Sequence, residues 1–309
     1  MALRQRVGVL PDAIQAALAS TARHLGVPVR SAEVLHFHSN AIVLFRSAGL
    51  VARVATNPDA LDRVRASLNV TRWLAAQGFP CAAPADINDQ PFVYSGRVVS
   101  VWQYLPTTSA PTPSGADLGR LLRVLHDQPI PPTPLRRLAD PFASISQALV
   151  QRPEALPAVQ RGWLETRIAE LRDQWERLEF PTSSGLIHGD AHPGNLLRLT
   201  DGGLVLGDWD HVAIGPAVWD LAQAHYTHRR FGRPAASDLD GFAGAYGWDI
   251  RDWPGLAVVL AVREITGLSA YVRTAQSKPF SATELGLRVT SLQRQDGSAR
   301  WHSPSDGHA

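Results

Sequence analysis

Hydrophobic residues recur every three to four positions in seven segments of the chain, and this spacing predicts amphipathic helices. In the first segment Asp12 stands at a cap-like position and Gly26 ends the pattern, as expected at helix termini. The predicted helices cover residues 12–25, 59–77, 117–128, 154–179, 217–229, 255–274 and 281–294.

Shorter apolar runs rich in β-branched and aromatic residues predict strands. Four of these, at residues 32–45, 50–55, 91–95 and 97–105, precede residue 106. Two more, at 195–199 and 204–208, flank the turn-forming letters TDGG. Most predicted strands therefore lie in the first third of the chain, and most predicted helices lie in the rest.

Residues 106–116, rich in Pro, Ser and Thr, separate these two parts and are typical of a linker. The sequence thus predicts an α+β protein with a strand-rich lobe over residues 1–105 and a helical lobe over residues 106–309. The polar tail from about residue 296 is expected to be disordered. Clefts between two such lobes commonly hold ligands.

The composition fits a globular protein and indicates neither nucleic-acid binding nor a membrane span. The 309 residues are 45% hydrophobic and carry a formal charge of +2, with the arginines scattered along the chain. No nucleic-acid footprint is therefore indicated. The longest apolar run, residues 256–262, is too short for a membrane span. With Cys81 as the only cysteine, a reducing compartment and a cytoplasmic location are expected.

Residues 185–210, GLIHGDAHPGNLLRLTDGGLVLGDWD, gather polar groups that are costly to bury without partners. If the TDGG turn closes a hairpin in which Leu199 faces Leu204, Asn195 lies opposite Asp208. Directly paired residues have β-carbons about 5 Å apart, so both side chains would reach one cation. A register shift of two residues would bring Asp210 there instead.

The chemistry of these side chains indicates phosphoryl transfer. Amide and carboxylate oxygens suit Mg²⁺, which keeps several waters and takes one or two carboxylates plus substrate phosphates. Asp190, five residues before Asn195, is placed to accept a proton from an attacking hydroxyl. Positioning and charge neutralisation supply most of the catalysis in such reactions.

The histidines of this stretch leave an alternative open. His188 is expected to pack or hydrogen-bond so that it supports the loop. The other hypothesis is a metallohydrolase that holds zinc with His188, Asp190, His192 and His211, since an H-x-D-x-H spacing offers suitable ligands.

The letters HGDAHPGN, GDWD and AVWDLA resemble the catalytic and metal motifs of the aminoglycoside phosphotransferase and choline kinase-like family. That resemblance implies a two-lobed, protein-kinase-like fold with a small antiparallel sheet in the N-lobe and a mostly helical C-lobe. It implies a kinase that uses Mg²⁺ and ATP or GTP to phosphorylate a hydroxyl of an antibiotic or other small metabolite. By it Asp190 is catalytic, Asn195 and Asp208 bind Mg²⁺, and Asp220 braces the catalytic loop through backbone N–H groups.

The resemblance also implies a nucleotide site in the first lobe. Gln103 and Tyr104 fall where such enzymes hold the adenine, and residues 37–40, including Ser39 and Asn40, fall where a loop covers the phosphates. Arg53 occupies the place of the phosphate-binding lysine. Its charge is the same and its fork suits phosphate oxygens.

Two departures favour an alternative, a catalytically impaired nucleotide-binding module. Ser67 stands where a glutamate normally pairs with the strand cation, which leaves Arg53 with Asp62 or without a partner. The predicted phosphate loop, HFHSNA, has no glycine.

Candidates for contacting the acceptor follow the metal motif. Asp210 would support the metal loop or touch the substrate, and His211, Arg263 and Glu264 are further substrate-facing candidates. A surface ion pair on a helix is the alternative for Arg263 and Glu264. Residues 211–309 contain nine acidic and ten basic residues, so no cation-binding pocket for a polycationic aminoglycoside is indicated.

Overall fold

The computed structural model describes residues 5–6, 10–37 and 40–303. Its contacts divide the chain into two compact units. The first unit takes in the described residues up to Pro113 together with Pro131–Leu135 and Gly194–Val212. The second takes in Ser114–Ile130, Arg136–Pro193 and the described residues from Ala213 onward. The boundary at residues 105 and 106 stays a prediction.

The described part of the chain contains ten strands and ten α-helices. The strands are β1 (Gln5–Arg6), β2 (Ala32–Phe37), β3 (Asn40–Phe45), β4 (Leu50–Ala55), β5 (Phe92–Tyr94), β6 (Arg97–Gln103), β7 (Ser184–Ile187), β8 (Leu196–Arg198), β9 (Leu204–Leu206) and β10 (Ala213–Pro216). The helices are α1 (Asp12–His24), α2 (Leu61–Ala76), α3 (Gly115–His126), α4 (Ala143–Gln151), α5 (Ala158–Glu176), α6 (Val218–Phe231), α7 (Ala236–Tyr246), α8 (Leu256–Thr266), α9 (Ser269–Thr274) and α10 (Pro279–Gln293).

The first unit is built on an antiparallel sheet in the order β1-β2-β3-β4-β6-β5. Helix α1 packs on one face through Ile14 and Leu18, which are buried with inward residues of β3, β4 and β6. Helix α2 contributes Val64 and Leu68 to a second cluster. The alternation of buried positions along β4 leaves Arg53 on the face opposite the α1 core, because successive strand residues point to opposite faces.

The observed register of the β8–β9 hairpin differs from the predicted register by one residue. Leu196 pairs with Leu206 and Arg198 with Leu204, so Asn195 is opposite Gly207 and the predicted pairing with Asp208 is wrong. The loop contains three residues, 200–202, and is closed by the Leu199–Gly203 pair. Gly202, at φ +91°, takes the left-handed conformation that such a loop requires.

The second unit is mostly helical, and its closest helix pair depends on glycine. A β-carbon at Gly115 would lie 2.2 Å from the carbonyl oxygen of Asp238, and one at Gly119 would lie 2.5 Å from that of Phe242. These two glycines therefore let α3 approach the backbone of α7. Strand β7, which pairs antiparallel with β10, leads directly into the loop that contains His188.

The predicted disorder from about residue 296 is wrong for residues 296–303. Trp301 is 2% exposed, donates to Ser291 through Nε1 at 3.1 Å, and lies against the guanidinium groups of Arg230 and Arg288. The backbone N–H of His302 donates to Glu284 at 2.7 Å. An indole stacked on two buried cations holds this segment against the helices.

None of the helices in the described part of the chain has the length and apolar character that a bilayer crossing requires.

Candidate active site

A cavity of about 520 Å³ lies in the first unit. Strands β3, β4 and β6 and the β8–β9 hairpin provide its walls, so residues far apart in sequence meet there. Four of the five predicted nucleotide-binding residues share it with the two predicted metal ligands. The predicted site residues on its wall are Asn40, Arg53, Gln103, Tyr104, Asn195 and Asp208.

Asp208 and Asp210 directly follow the hairpin, and burial of Trp209 between them determines where their carboxylates lie. Trp209 is buried, packs edge-on against Phe79 and donates from Nε1 to the carbonyl of Leu206 at 3.0 Å. Asp208 has a left-handed backbone, at φ +55°, a conformation that Asp tolerates better than most residues. With the indole fixed inward, Asp208 and Asp210 both contact Arg53.

Arg53 is held by the two aspartates that follow β9. Its Nη1 and Nη2 each donate to one oxygen of Asp210 at 2.6 Å, and Nη2 also donates to Asp208 at 2.9 Å. Such a bidentate, charge-assisted pair fixes both the position and the orientation of the guanidinium. Arg63 of α2 lies 3.9 Å from the same Asp210 carboxylate. An acid that follows β9 thus pairs with Arg53, where the resemblance implied a helix glutamate.

The two helix positions that the sequence raised in connection with Arg53 have different environments. Asp62 forms an exposed ion pair with Arg65 at 3.1 Å. Ser67 is buried on the cavity wall, and its hydroxyl has no hydrogen-bond partner among the residues that the structure describes.

The predicted adenine-binding segment uses its backbone N–H groups within the protein. Gln103 N–H donates to Ala83 at 3.1 Å, and Tyr104 N–H donates to Gly49 at 2.8 Å. Because these N–H groups already have partners, the two residues would contact a base through their carbonyl oxygens or side chains. Apolar side chains of Val51 and Trp102 line the same cavity and offer surface to a planar ring.

In the second unit, Asp220 braces the loop that contains Asp190. Its carboxylate is fully buried and accepts from the backbone N–H of His188 at 2.6 Å and of Gly189 at 2.7 Å. His126 Nε2 lies 3.2 Å from the same group. Burial, the largest single influence, would raise the pKa of Asp220, but the hydrogen bond and charge of His126, helped by His188, outweigh it. The pKa therefore lies below its usual range.

His188 supports the same loop from within. Its ring is fully buried, and Nδ1 accepts the backbone N–H of Asp190 at 3.3 Å. The Nε2 position therefore carries the ring proton in the neutral tautomer. The carboxylate of Asp190 accepts from Gln223 Nε2 at 2.9 Å, and Trp219 Nε1 donates to the carbonyl of Gly189 at 3.0 Å.

The surface ion pair considered for Arg263 and Glu264 is wrong, because both side chains are buried. Arg263 donates to Gln223 and to the carbonyl of Trp219. Glu264 accepts from Arg230 at 2.6 Å. Adjacent residues on a helix point about 100° apart, which explains their separate partners. A direct substrate contact by either residue stays a prediction.

His211, Ser39 and the predicted zinc ligands are the remaining site candidates. His211 is exposed in the short 3-10 turn that follows Asp208, and Ser39 lies outside the described residues. No group of three or more His, Cys, Asp or Glu side chains is placed to hold a metal ion in the ranges that the structure covers. The zinc ligand set of His188, Asp190, His192 and His211 is therefore not found there as a cluster.

Sequence reasoning missed three contributors, Gln223, His126 and the Asp210–Arg53 pair. Gln223 had a usable signal, since it lies three residues after Asp220 and so on the same face of a helix. His126 gave none, because its contact with Asp220 spans 94 residues.

Two features described above are typical of kinase-like phosphotransferases. The first unit has a cavity lined by an anchored arginine and by amide and carboxylate oxygens, and the second unit has a braced acidic loop. The sequence model of the phosphotransferase enzyme family, APH, matches residues 34–259. The chain belongs to this family. No curated protein matches the sequence.

Solved structures show the same fold at low sequence identity. Amicoumacin kinase hAmiN, solved with AMP-PNP, Ca²⁺ and Ami, is 12% identical with a TM-score of 0.65, over 88% of this chain and 90% of that one. A choline/ethanolamine kinase family protein from Mesorhizobium loti is 18% identical with a TM-score of 0.65, over 93% and 96%. APH(2")-IIia, solved with GDP and kanamycin, is 14% identical with a TM-score of 0.66, over 90% and 99%.

These comparisons confirm the predicted family, the protein-kinase-like fold with its antiparallel sheet and helical lobe, and the assignment as a phosphotransferase. The roles of the individual site residues stay predictions.

Proposed function

We propose that this enzyme transfers the γ-phosphoryl group of ATP or GTP, with Mg²⁺, to a hydroxyl of a small organic acceptor such as an antibiotic or a metabolite. The observation that carries the proposal is the cavity in which Arg53, Asn195 and Asp208 meet. Structural relatives solved with AMP-PNP or GDP, and with Ami or kanamycin, support nucleotide and antibiotic as substrate classes. A cytoplasmic location and a role in antibiotic resistance stay predictions.

The cavity suits a nucleoside triphosphate in both its polar and its apolar parts. Val51 and Trp102 offer apolar surface to the base. Arg53, already fixed by two carboxylates, offers a planar fork to phosphate oxygens. The amide oxygen of Asn195 and the half-exposed carboxylate of Asp208 are hard donors that fit Mg²⁺. When bound, Mg²⁺ would neutralise charge on the phosphates.

The chemical step assigns one task to Asp190. The acceptor hydroxyl oxygen forms a bond to the γ-phosphorus while the bond from that phosphorus to the β–γ bridging oxygen breaks. The hydroxyl proton passes to a carboxylate oxygen of Asp190, and the electron pair of the broken bond leaves on the nucleoside diphosphate. Asp220 and His188 keep the loop in place, because both bind its backbone.

The test is an acceptor screen. Purified protein is incubated with MgATP or MgGTP and a panel of hydroxylated antibiotics, amino sugars and amino alcohols, and products are detected by mass. We expect one acceptor class to gain a single phosphoryl group at the expense of the nucleotide. Nucleotide binding with neither hydrolysis nor acceptor phosphorylation would instead establish the impaired binding module. Tightly held zinc in the purified protein would establish the metallohydrolase.

Asp208→Asn should weaken MgATP binding by roughly 10- to 100-fold, since an amide replaces the only proposed anionic ligand of the metal. Calorimetric titration with ATP, with and without Mg²⁺, measures the effect. The deficit should be confined to the titration with Mg²⁺. Asp201→Asn, an exposed position in the hairpin loop, is the matched control and should bind like the parent. An equal loss in both titrations would contradict the metal role of Asp208.

Asp210→Asn should raise the KM for MgATP by about 5- to 10-fold, because the amide cannot hold Arg53 through two charge-assisted bonds. Initial rates over a range of MgATP concentrations measure it, with Asp201→Asn again as control. A lower KM would show the opposite role, in which Asp210 competes with phosphates for Arg53.

A further inference from the structure

Helix α6 contacts the catalytic loop with two side chains on one face. Asp220 binds the loop backbone, as described above. Gln223, one turn later, is 6% exposed and donates from Nε2 to Oδ1 of Asp190 at 2.9 Å. The same helix therefore holds both the backbone of the loop and its functional carboxylate.

Arg263 of α8 determines which way the amide of Gln223 points. Its Nη1 donates to the amide oxygen of Gln223, and Nε and Nη2 donate to the carbonyl of Trp219. A guanidinium is only a donor, so the amide must turn its oxygen toward Arg263. Its NH₂ group must then face Asp190. An amide without this constraint would have two nearly equivalent orientations.

Arg263 is buried, which is uncommon for an arginine side chain. Its side chain is 6% exposed and stacks on the indole of Trp219, with the guanidinium carbon 4.1 Å from the ring centroid. Burial lowers the pKa of Arg263 to about 10, and the charges of Asp220 and Asp190 oppose that shift. A buried cation is costly unless it is paired and hydrogen-bonded. Here its charge balances those of Asp190 on the loop and Asp220 on α6.

We propose that Gln223 and Arg263 are positioning residues for Asp190. Arg263 orients the amide, and the amide donates to Oδ1, which fixes the direction in which the carboxylate of Asp190 points. This inference rests on the proposed function, because it takes Asp190 as the proton acceptor. A carboxylate rotated out of place loses rate even when its chemistry is intact.

Gln223→Glu separates positioning from packing. A glutamate has nearly the same shape and still accepts from Arg263, but it cannot donate to Asp190. We expect kcat for MgATP turnover, measured first as hydrolysis to ADP and phosphate, to fall by about 10- to 100-fold. The KM for MgATP should change less than about twofold, because the nucleotide contacts are elsewhere. A purely structural role predicts an unchanged kcat, and that result would overturn the proposal.

Two further variants test the part played by Arg263. Arg263→Met removes every donor to the amide and should lose kcat as Gln223→Glu does. Arg263→Lys keeps a cation that can donate to the amide oxygen and should recover part of the rate. Equal kcat in the two variants would overturn the orienting role. Gln160→Glu, a half-buried amide of α5 that contacts Thr290, is the matched control and should behave like the parent.

An amide signal makes the test independent of turnover. In a ¹⁵N–¹H spectrum the side-chain NH₂ resonances of Gln223 are identified by their absence in Gln223→Glu. Asp190→Asn should shift them, because their partner loses its charge. An unshifted signal would overturn the contact itself. If the signal shifts and the parent protein consumes no nucleotide, the proposed function fails while the contact stands.

Discussion

Asp190→Asn is expected to lower kcat by about 10²- to 10⁴-fold, the usual range for removing a general base. Asparagine has the size of aspartate and keeps an oxygen that can accept from Gln223 Nε2. It cannot take a proton from the acceptor hydroxyl. The KM for MgATP should stay within about twofold, because the proposed nucleotide contacts come from the cavity in the first unit. Steady-state kinetics of MgATP consumption measures both parameters.

The design of this experiment depends on an unchanged fold. The circular dichroism spectrum and thermal midpoint should match those of the parent, since Asp190 is a half-buried loop residue. Asp173→Asn replaces an exposed aspartate of the same unit, whose ion pair with Arg177 is also exposed, and its kcat should be unaffected. A kcat for Asp190→Asn within about tenfold of the parent would remove Asp190 from the proton transfer.

The sequence predicted the hairpin but not its register. TDGG has the composition of a turn, yet loops of three and four residues both fit those letters. The choice depends on which glycine adopts a positive φ, and Gly202 does so. Asn195 and Asp208 still share the cavity, because the left-handed backbone of Asp208 redirects its side chain.

The partner of Arg53 could not be predicted from local pattern. Sequence reasoning looked for an acid on the neighbouring helix, where Asp62 was the nearest candidate. The acids that pair with Arg53 are Asp208 and Asp210, 155 and 157 residues away. Such contacts depend on tertiary structure, and a single sequence carries no signal for them.

The burial of Arg263 and Glu264 did have a sequence signal. Opposite charges in adjacent positions suggest a solvent-exposed pair, but their helix is apolar on nearly all sides, from Leu256 to Ile265. A helix that is hydrophobic all round is normally buried. Trp301 was a similar sequence signal in the C-terminal segment, because a large aromatic residue often anchors a polar segment to the rest of the protein.

Helices α4 and α7 were missed for a different reason. Each spans 9 or 11 residues, too few for a clear repeat, and α7 contains Gly241 and Gly244, which weaken helix propensity. Tertiary packing decides such segments. Helix α7 is held by its close approach to α3, where Gly115 and Gly119 face its backbone.

Asp220→Asn is expected to reduce the free energy of unfolding by about 3–5 kcal/mol, as when one member of a buried charged network is lost. The carboxylate accepts from two backbone N–H groups through its two oxygens. An amide has one oxygen, so its NH₂ would face one of these donors and leave it unsatisfied. Urea unfolding at neutral pH measures the loss. Asp173→Asn, on the exposed surface of the same unit, should change the free energy by less than about 0.5 kcal/mol.

The pH dependence of the lost unfolding free energy shows how much of that loss is electrostatic. The pKa of Asp220 lies below its usual range in the folded protein, whereas in the unfolded chain it is about 3.9. A depressed folded pKa contributes stability that is fully present above the unfolded value and is lost as the pH falls through the folded value. The gap in unfolding free energy between the parent and Asp220→Asn should therefore be constant near neutral pH and narrow below about pH 4. A gap that stays the same into the acid range would show that the N–H groups of His188 and Gly189 need an acceptor at Asp220 but not its charge.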